Sequence, residues 1–338
     1  MAHSKSLNLR TFWVLIAATF AACFAAAVSL PHDPYIRYQA MKGTIFERAK
    51  WIYERSHFDD APIDILFIGS SRTARGVISP EIEANLAERG FDKKVANFSL
   101  PASGLDIRLA LAREAMENRE IEYLVISLVE QFPRDGHQAF ADLATAGDVL
   151  KSPLLVNRNL PENLARLPVR QIQLSFASIL PEAFGYQDTF DPAAYAGTTI
   201  DPRIFNPGNP NRLQTSADIE ALEKESAFRR RDLTRPILPE NMAWIEFGVP
   251  RTYIQRLADL AEDNGTKLIF LYLPFYGGFS EPFEKEWIEQ FGPVLSGTFL
   301  IGDPENYNDV AHVSEHGANL VGTWLSNELV QILEQSEQ

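Results

Sequence analysis

Three short apolar runs set between helical stretches constrain this chain more than any other feature. Ile63 to Ile68 (IDILFI) is nearly continuous in hydrophobicity, as expected of a parallel strand covered on both faces. Ser79 and Pro80 then open a helix that Gly90 closes. Val95 to Phe98 reads as a second strand, and Leu105 to Asn118 as a second helix with Leu109, Ala112 and Met116 on one face. Tyr123 to Val129 is a third strand. A βαβαβ series demands a parallel sheet with right-handed crossovers, which predicts an α/β domain.

The alternation stops between residues 131 and 247, a stretch rich in Pro, Asn and Asp that reads as an insertion carrying lid or substrate-binding elements. It resumes with a helix from Pro250 to Asp263, ended by Asn264 and Gly265, and a strand from Leu268 to Leu273. A helix over Pro282 to Gln290, a strand over Thr298 to Ile301 and a last helix from Glu315 to Leu333 complete the pattern. In such sheets ligands gather at the carboxyl ends of the strands.

A formal charge of −14 argues against broad contact with nucleic acid, which needs an excess of Lys and Arg. The one basic run, Arg229 to Arg231, is flanked by Glu223, Glu225 and Asp232 and reads as a solvated helix face. With Cys23 as the single cysteine, no intrachain disulfide and no Cys-based zinc site can form.

Residues 11–30 carry no charge, and about twenty apolar residues suffice to cross a bilayer as a helix. His3, Lys5 and Arg10 precede them, so residues 1–10 are expected in the cytoplasm and everything after Leu30 in the periplasm or outside the cell. The rivals are a signal peptide cleaved near Ala25 to Ala27 and a lipid-modified Cys23. Residues 31–61, with Pro31 and Pro34, read as a linker, and 62–338 as the domain proper.

Gly69-Ser70-Ser71-Arg72 follows the first strand directly, so Ser71 sits on a tight strand-to-helix turn where first-turn N–H groups meet any developing oxyanion. Asp309-Val310-Ala311-His312 lies before Gly317 and the last helix. A nucleophilic serine needs a base, and the base needs an orienting carboxylate; the spacing lets Asp309 hold one nitrogen of His312 and leave the other for Ser71. A competing use of Asp309 and His312 is a metal site with His316, one helical turn on. Arg72 and Arg75 are candidates for an anionic substrate group or for pairing with Glu130, and Tyr276 for stacking on a sugar.

Taken together, Gly69-Ser70-Ser71, the Asn97-Phe98-Ser99-Leu100-Pro101 turn after the second strand, and Asp309-x-x-His312 with Gly317 resemble the SGNH/GDSL hydrolase superfamily. More narrowly they resemble its membrane-anchored branch, found in alginate O-acetylation and teichoic-acid D-alanylation systems. The likeness covers roughly residues 62–130 and 250–333. It implies a flavodoxin-like three-layer α/β/α fold, Ser71 as nucleophile, His312 as general base and Asp309 as its partner, with no metal and no cofactor. It further implies O-acyl, foremost acetyl, transfer or removal on an exported polysaccharide, with a membrane-bound O-acyltransferase as partner. A simple carbohydrate esterase and a weakly active polysaccharide-binding assembly protein are the alternatives. The sequence departs from the family pattern in three places. Ser70 stands where Asp is common, as in the Gly-Ser-Ser branch. Ser99, Ala102 and Gly104 compete for the second oxyanion donor, and the third-block Asn is missing, with Gln131 or a backbone amide left to replace it.

Overall fold

In the computed structural model, which describes residues 8–200, 215–233 and 236–336, successive residues of each strand face opposite layers of side chains. Leu66, Ile68, Leu124, Ile126, Phe270 and Tyr272 enter one buried cluster, whereas Ile65, Phe67, Tyr123, Val125, Ile269 and Leu271 enter another. Strands apolar on both faces must be covered on both, and the outcome is a three-layer α/β/α domain. The sheet comprises β1 (Ile65–Ile68), β2 (Val95–Asn97), β3 (Tyr123–Leu128), β4 (Lys267–Tyr272) and β5 (Val294–Ser296). All pairings are parallel, in the order β2-β1-β3-β4-β5. That order reverses between β1 and β3, which opens a crevice at their carboxyl ends.

Helix α1 (Leu9–Val28) is apolar, 20 residues long and almost wholly outside the domain, long and apolar enough to cross a membrane. His3 and Lys5 lie outside the described residues. After five intervening residues α2 (Pro34–Gln39) begins, followed by α3 (Ala49–His57). After β1 come α4 (Ser71–Gly76) and α5 (Ser79–Ala87), and α6 (Leu105–Met116) joins β2 to β3. Beyond β3 two short helices, α7 (Phe140–Leu143) and α8 (Ala146–Leu150), lead to α9 (Leu160–Ile179); α10 (Ser216–Asp232) and α11 (Ala243–Glu246) precede α12 (Gly248–Asp263). A four-residue α13 (Lys285–Ile288) separates β4 from β5, and α14 (Glu315–Ser336) ends the fold. Helices α3, α6 and α12 cover one face of the sheet; α5 and α14 cover the other.

Three expectations are corrected. Residues 31–61 are not a linker: Tyr35, Ile36, Tyr38, Phe46, Trp51, Ile52 and Tyr53 are buried, and most join the cluster beneath α6. The fifth strand is Val294–Ser296 rather than 298–301, because Phe270, Leu271 and Tyr272 pair with those three residues and Gly297 N donates to Tyr272 O at 2.9 Å. Thr298–Leu300 then turns as a short 3-10 helix. Finally, the helix read over 282–290 is confined to α13.

Candidate active site

Gly69 makes the turn after β1 feasible. A Cβ there would lie 2.3 Å from Thr73 Oγ1 and 2.4 Å from Ser127 Oγ, distances no side chain tolerates. Ser70 caps α4, its Oγ accepting from Arg72 N at 3.3 Å. Ser71 thereby takes the first helical position, where the N–H has no acceptor within the helix. With α4 only six residues long, electrostatic help at this point comes from first-turn amides rather than from an extended helix dipole.

The second half of the site is a loop folded on itself. Tyr307 and Val313 form an antiparallel bridge, Asn308 N donates to His312 O at 2.9 Å, and Ser314 N donates to Asn306 O at 2.9 Å. Gly317 sits so close to Asn306 that a Cβ would lie 2.3 Å from its carbonyl oxygen. Two bonds tie the loop to the segment after β4: Tyr307 Oη to Pro274 O at 3.1 Å, and Tyr276 N to Val310 O at 2.8 Å. Inside it, Asp309 Oδ1 accepts from the backbone N–H of Ala311 and of His312, each at 2.9 Å.

These two pieces meet. His312 Nδ1 lies 2.9 and 2.8 Å from the Asp309 oxygens, and His312 Nε2 lies 2.7 Å from Ser71 Oγ. A carboxylate at Nδ1 assigns the ring proton there, which leaves Nε2 to accept from the Ser71 hydroxyl. Burial works against the Asp309 charge, but the His312 ring and the two amides outweigh it and hold the carboxyl at about 2. Arg75 Nη1 is 3.8 Å from Asp309 Oδ2; burial lowers the Arg75 pKa and Asp309 opposes that shift.

Ser71 opens onto a cleft of about 500 Å³ whose wall includes Thr44, Glu47, Arg48, Arg75 and Ser99. Ser99 is fully buried, its N–H is taken by Asn97 Oδ1 at 3.1 Å, and its hydroxyl has no partner among the described residues. Ala102 has a positive φ of 51° and, like Gly104 at the start of α6, lines a neighbouring pocket with Ser70 rather than the Ser71 cleft.

Three candidates point elsewhere. Arg72 grips Glu130 with both terminal nitrogens, at 2.7 and 3.0 Å, and also donates to Leu273 O, so it pins α4 to the ends of β3 and β4 instead of facing a substrate. Gln131 directs its amide to Glu284 Oε2 at 3.4 Å and is absent from the cleft wall. Tyr276 is buried edge-on against Tyr307 and lines a separate cleft beside α10.

Two arginines escaped sequence reasoning. Arg48, from the segment read as a linker, donates to Asn97 O at 2.6 Å, stacks 4.9 Å over Trp51 and lines the Ser71 cleft. Arg229, placed on a solvated face, is half-buried with its guanidinium 5.6 Å over Phe275; burial and Arg72 lower its pKa, while Glu130, Glu225 and Asp309 oppose. The density of aromatics in 35–53 was the available signal for the first; none was available for the second. Comparison with family models and with curated proteins returns no match.

Proposed function

We propose that this chain is a serine acyl-ester enzyme of the SGNH type, tethered by α1 and acting outside the cytoplasm on an exported polysaccharide. The observation that carries the proposal is the unbroken series Asp309, His312, Ser71, joined at 2.8 and 2.7 Å at the carboxyl edge of a parallel sheet. Three side chains with those roles and that order make an activated nucleophile.

In the first step Ser71 Oγ attacks an acyl ester, His312 takes the hydroxyl proton, and the Ser71 N–H faces the developing oxyanion. Breaking the donor C–O bond returns that proton from His312 to the leaving oxygen. In the second, a sugar hydroxyl gives its proton to His312 and attacks the acyl-Ser71 ester, and Ser71 leaves with the proton. Water in place of the sugar makes the same chemistry an esterase. Of the three residues that compete for the second oxyanion donor, Ser99 is the one that lines the Ser71 cleft, and its hydroxyl, unpartnered among the described residues, takes that role. A tether favours transfer, because an anchored enzyme meets a membrane-bound O-acyltransferase donor at high effective concentration.

A fluorophosphonate probe applied to the full-length protein tests the proposal. It should attach at Ser71, and Ser71→Ala should lose the label with the fold intact. Folded protein that stays unlabelled would favour the alternative of a polysaccharide-binding assembly protein. Acetyl found on added glycan rather than released as acetate then separates transferase from esterase.

A further inference from the structure

A helix with one apolar face is explained by the core it covers, but α9 has two. Leu167, Arg170, Gln171, Leu174 and Ala177 form its buried side. Val169, Ile172, Phe176 and Ile179 recur at spacings of three and four on the other, 57%, 39%, 59% and 70% exposed. At one turn per 3.6 residues these four fall within about 80° of one another, roughly opposite the buried side. The stripe runs on into Leu180 and Phe184, also exposed. Single exposed apolar residues are ordinary, whereas a contiguous stripe marks a contact surface.

Its place in the fold says what covers it. Gln171 Nε2 donates to the carbonyls of Val28 and Leu30, each at 3.2 Å, and Asp33 N donates to Ser178 Oγ at 2.8 Å. Ile36 of α2 packs with Leu174 and Ala177. The last turn of α1 and the residues after it are therefore fastened along α9, with no slack to hold the domain away from a bilayer. Where α1 leaves the lipid, α9 lies alongside.

We propose that α9 rests in the headgroup and acyl boundary of the leaflet from which α1 emerges, with its outer stripe immersed in lipid. The proposal depends on α1 spanning a membrane. A second feature fits it: Arg166 and Gln173, on the flank of α9 between stripe and core, and Arg170 of the buried side line a cleft of about 690 Å³ that shares Thr44 and Ile45 with the Ser71 cleft. Thr44 and Ile45 thus border both the cleft beside the lipid-facing helix and the cleft of the nucleophile, as suits an acyl group handed over at the membrane. Amphipathic helices lying at the interface bind through this kind of buried apolar area.

Spin labelling of the full-length protein in phosphatidylcholine and phosphatidylglycerol vesicles provides the test. Cys23 carries the label in the wild type. In a Cys23→Ala background, Ile172→Cys and Phe176→Cys report on the stripe, and Asn319→Cys, exposed on α14, serves as the aqueous control. Labels at 172 and 176 should be several-fold more accessible to oxygen, relative to an aqueous nickel chelate, than the label at 319. Labels at 172 and 176 that match 319, while the Cys23 label sits in lipid, would overturn the docking of α9 alone. A Cys23 label that also matches 319 would overturn the anchor and the docking together. Wet labels in vesicles that become shielded from both reagents in native membranes would assign the stripe to a protein partner and reject lipid.

Discussion

Asp309 is held by more than the histidine it orients. Two backbone amides and the His312 ring pull its carboxyl from the ordinary 3.8 to about 2, against the cost of burial. A carboxyl depressed in the folded state favours the folded state when ionised. That stabilisation is complete above the unfolded value near 4 and is lost as pH falls toward 2. Asp309→Asn should therefore have a lower urea midpoint than the wild type at pH 7, with the gap narrowing by pH 3. An unchanged gap would mean that the bonds to Asp309 do not favour its charge. At this scale the site was legible where its chemistry is local: Ser71 follows a strand end, and Asp309 and His312 share one loop. Arginines were not legible, because their long side chains take their roles from distant partners. Arg72 and Arg75 are three residues apart on one short helix, yet one is locked to Glu130 and the other approaches Asp309.

Among the elements, α3 and the loop before it depart furthest from what the sequence suggests. Pro31 and Pro34 suggested an extended connection, but Pro34 is the first residue of α2, a position where its missing N–H costs nothing. Trp51 shows what the segment does: it packs edge-on against Phe98 at 5.5 Å, and its Nε1 donates to Gly197 O at 2.8 Å. Trp51→Ala should reduce the free energy of unfolding by about 3–5 kcal/mol, the usual cost of deleting a buried large aromatic, read from chemical denaturation. A change near zero would restore the linker. Strand β5 was missed for a different reason. Three residues are too few to show a period, and the apolar Thr298 to Ile301 just beyond them competed, although Phe299 turns outward against Trp324.

At the scale of the whole molecule, the sheet follows from its strands: runs apolar on both faces required helices on both, and the crossovers allowed few orders. What single elements could not disclose is how 131–247 arranges itself, since among the described residues its helices pack against α1, α2, α6 and α12 rather than repeating a pattern. The proposed anchoring by α1, with the N-terminus inside, predicts that a periplasmic reporter fused after residue 338 is active and a cytoplasmic one silent; the reverse would reject an N-terminus inside. Ser71 and His312 stand 241 positions apart in the chain, so their contact is a property of the entire fold. In the proposed reaction they act as one unit with Asp309. The most direct test is a double-mutant cycle on acetyl-ester turnover with Ser71→Ala, His312→Ala and the pair. For a single catalytic unit, each single change costs on the order of 10⁴-fold or more and the pair costs no more than Ser71→Ala alone. Losses that multiply in the pair would contradict it.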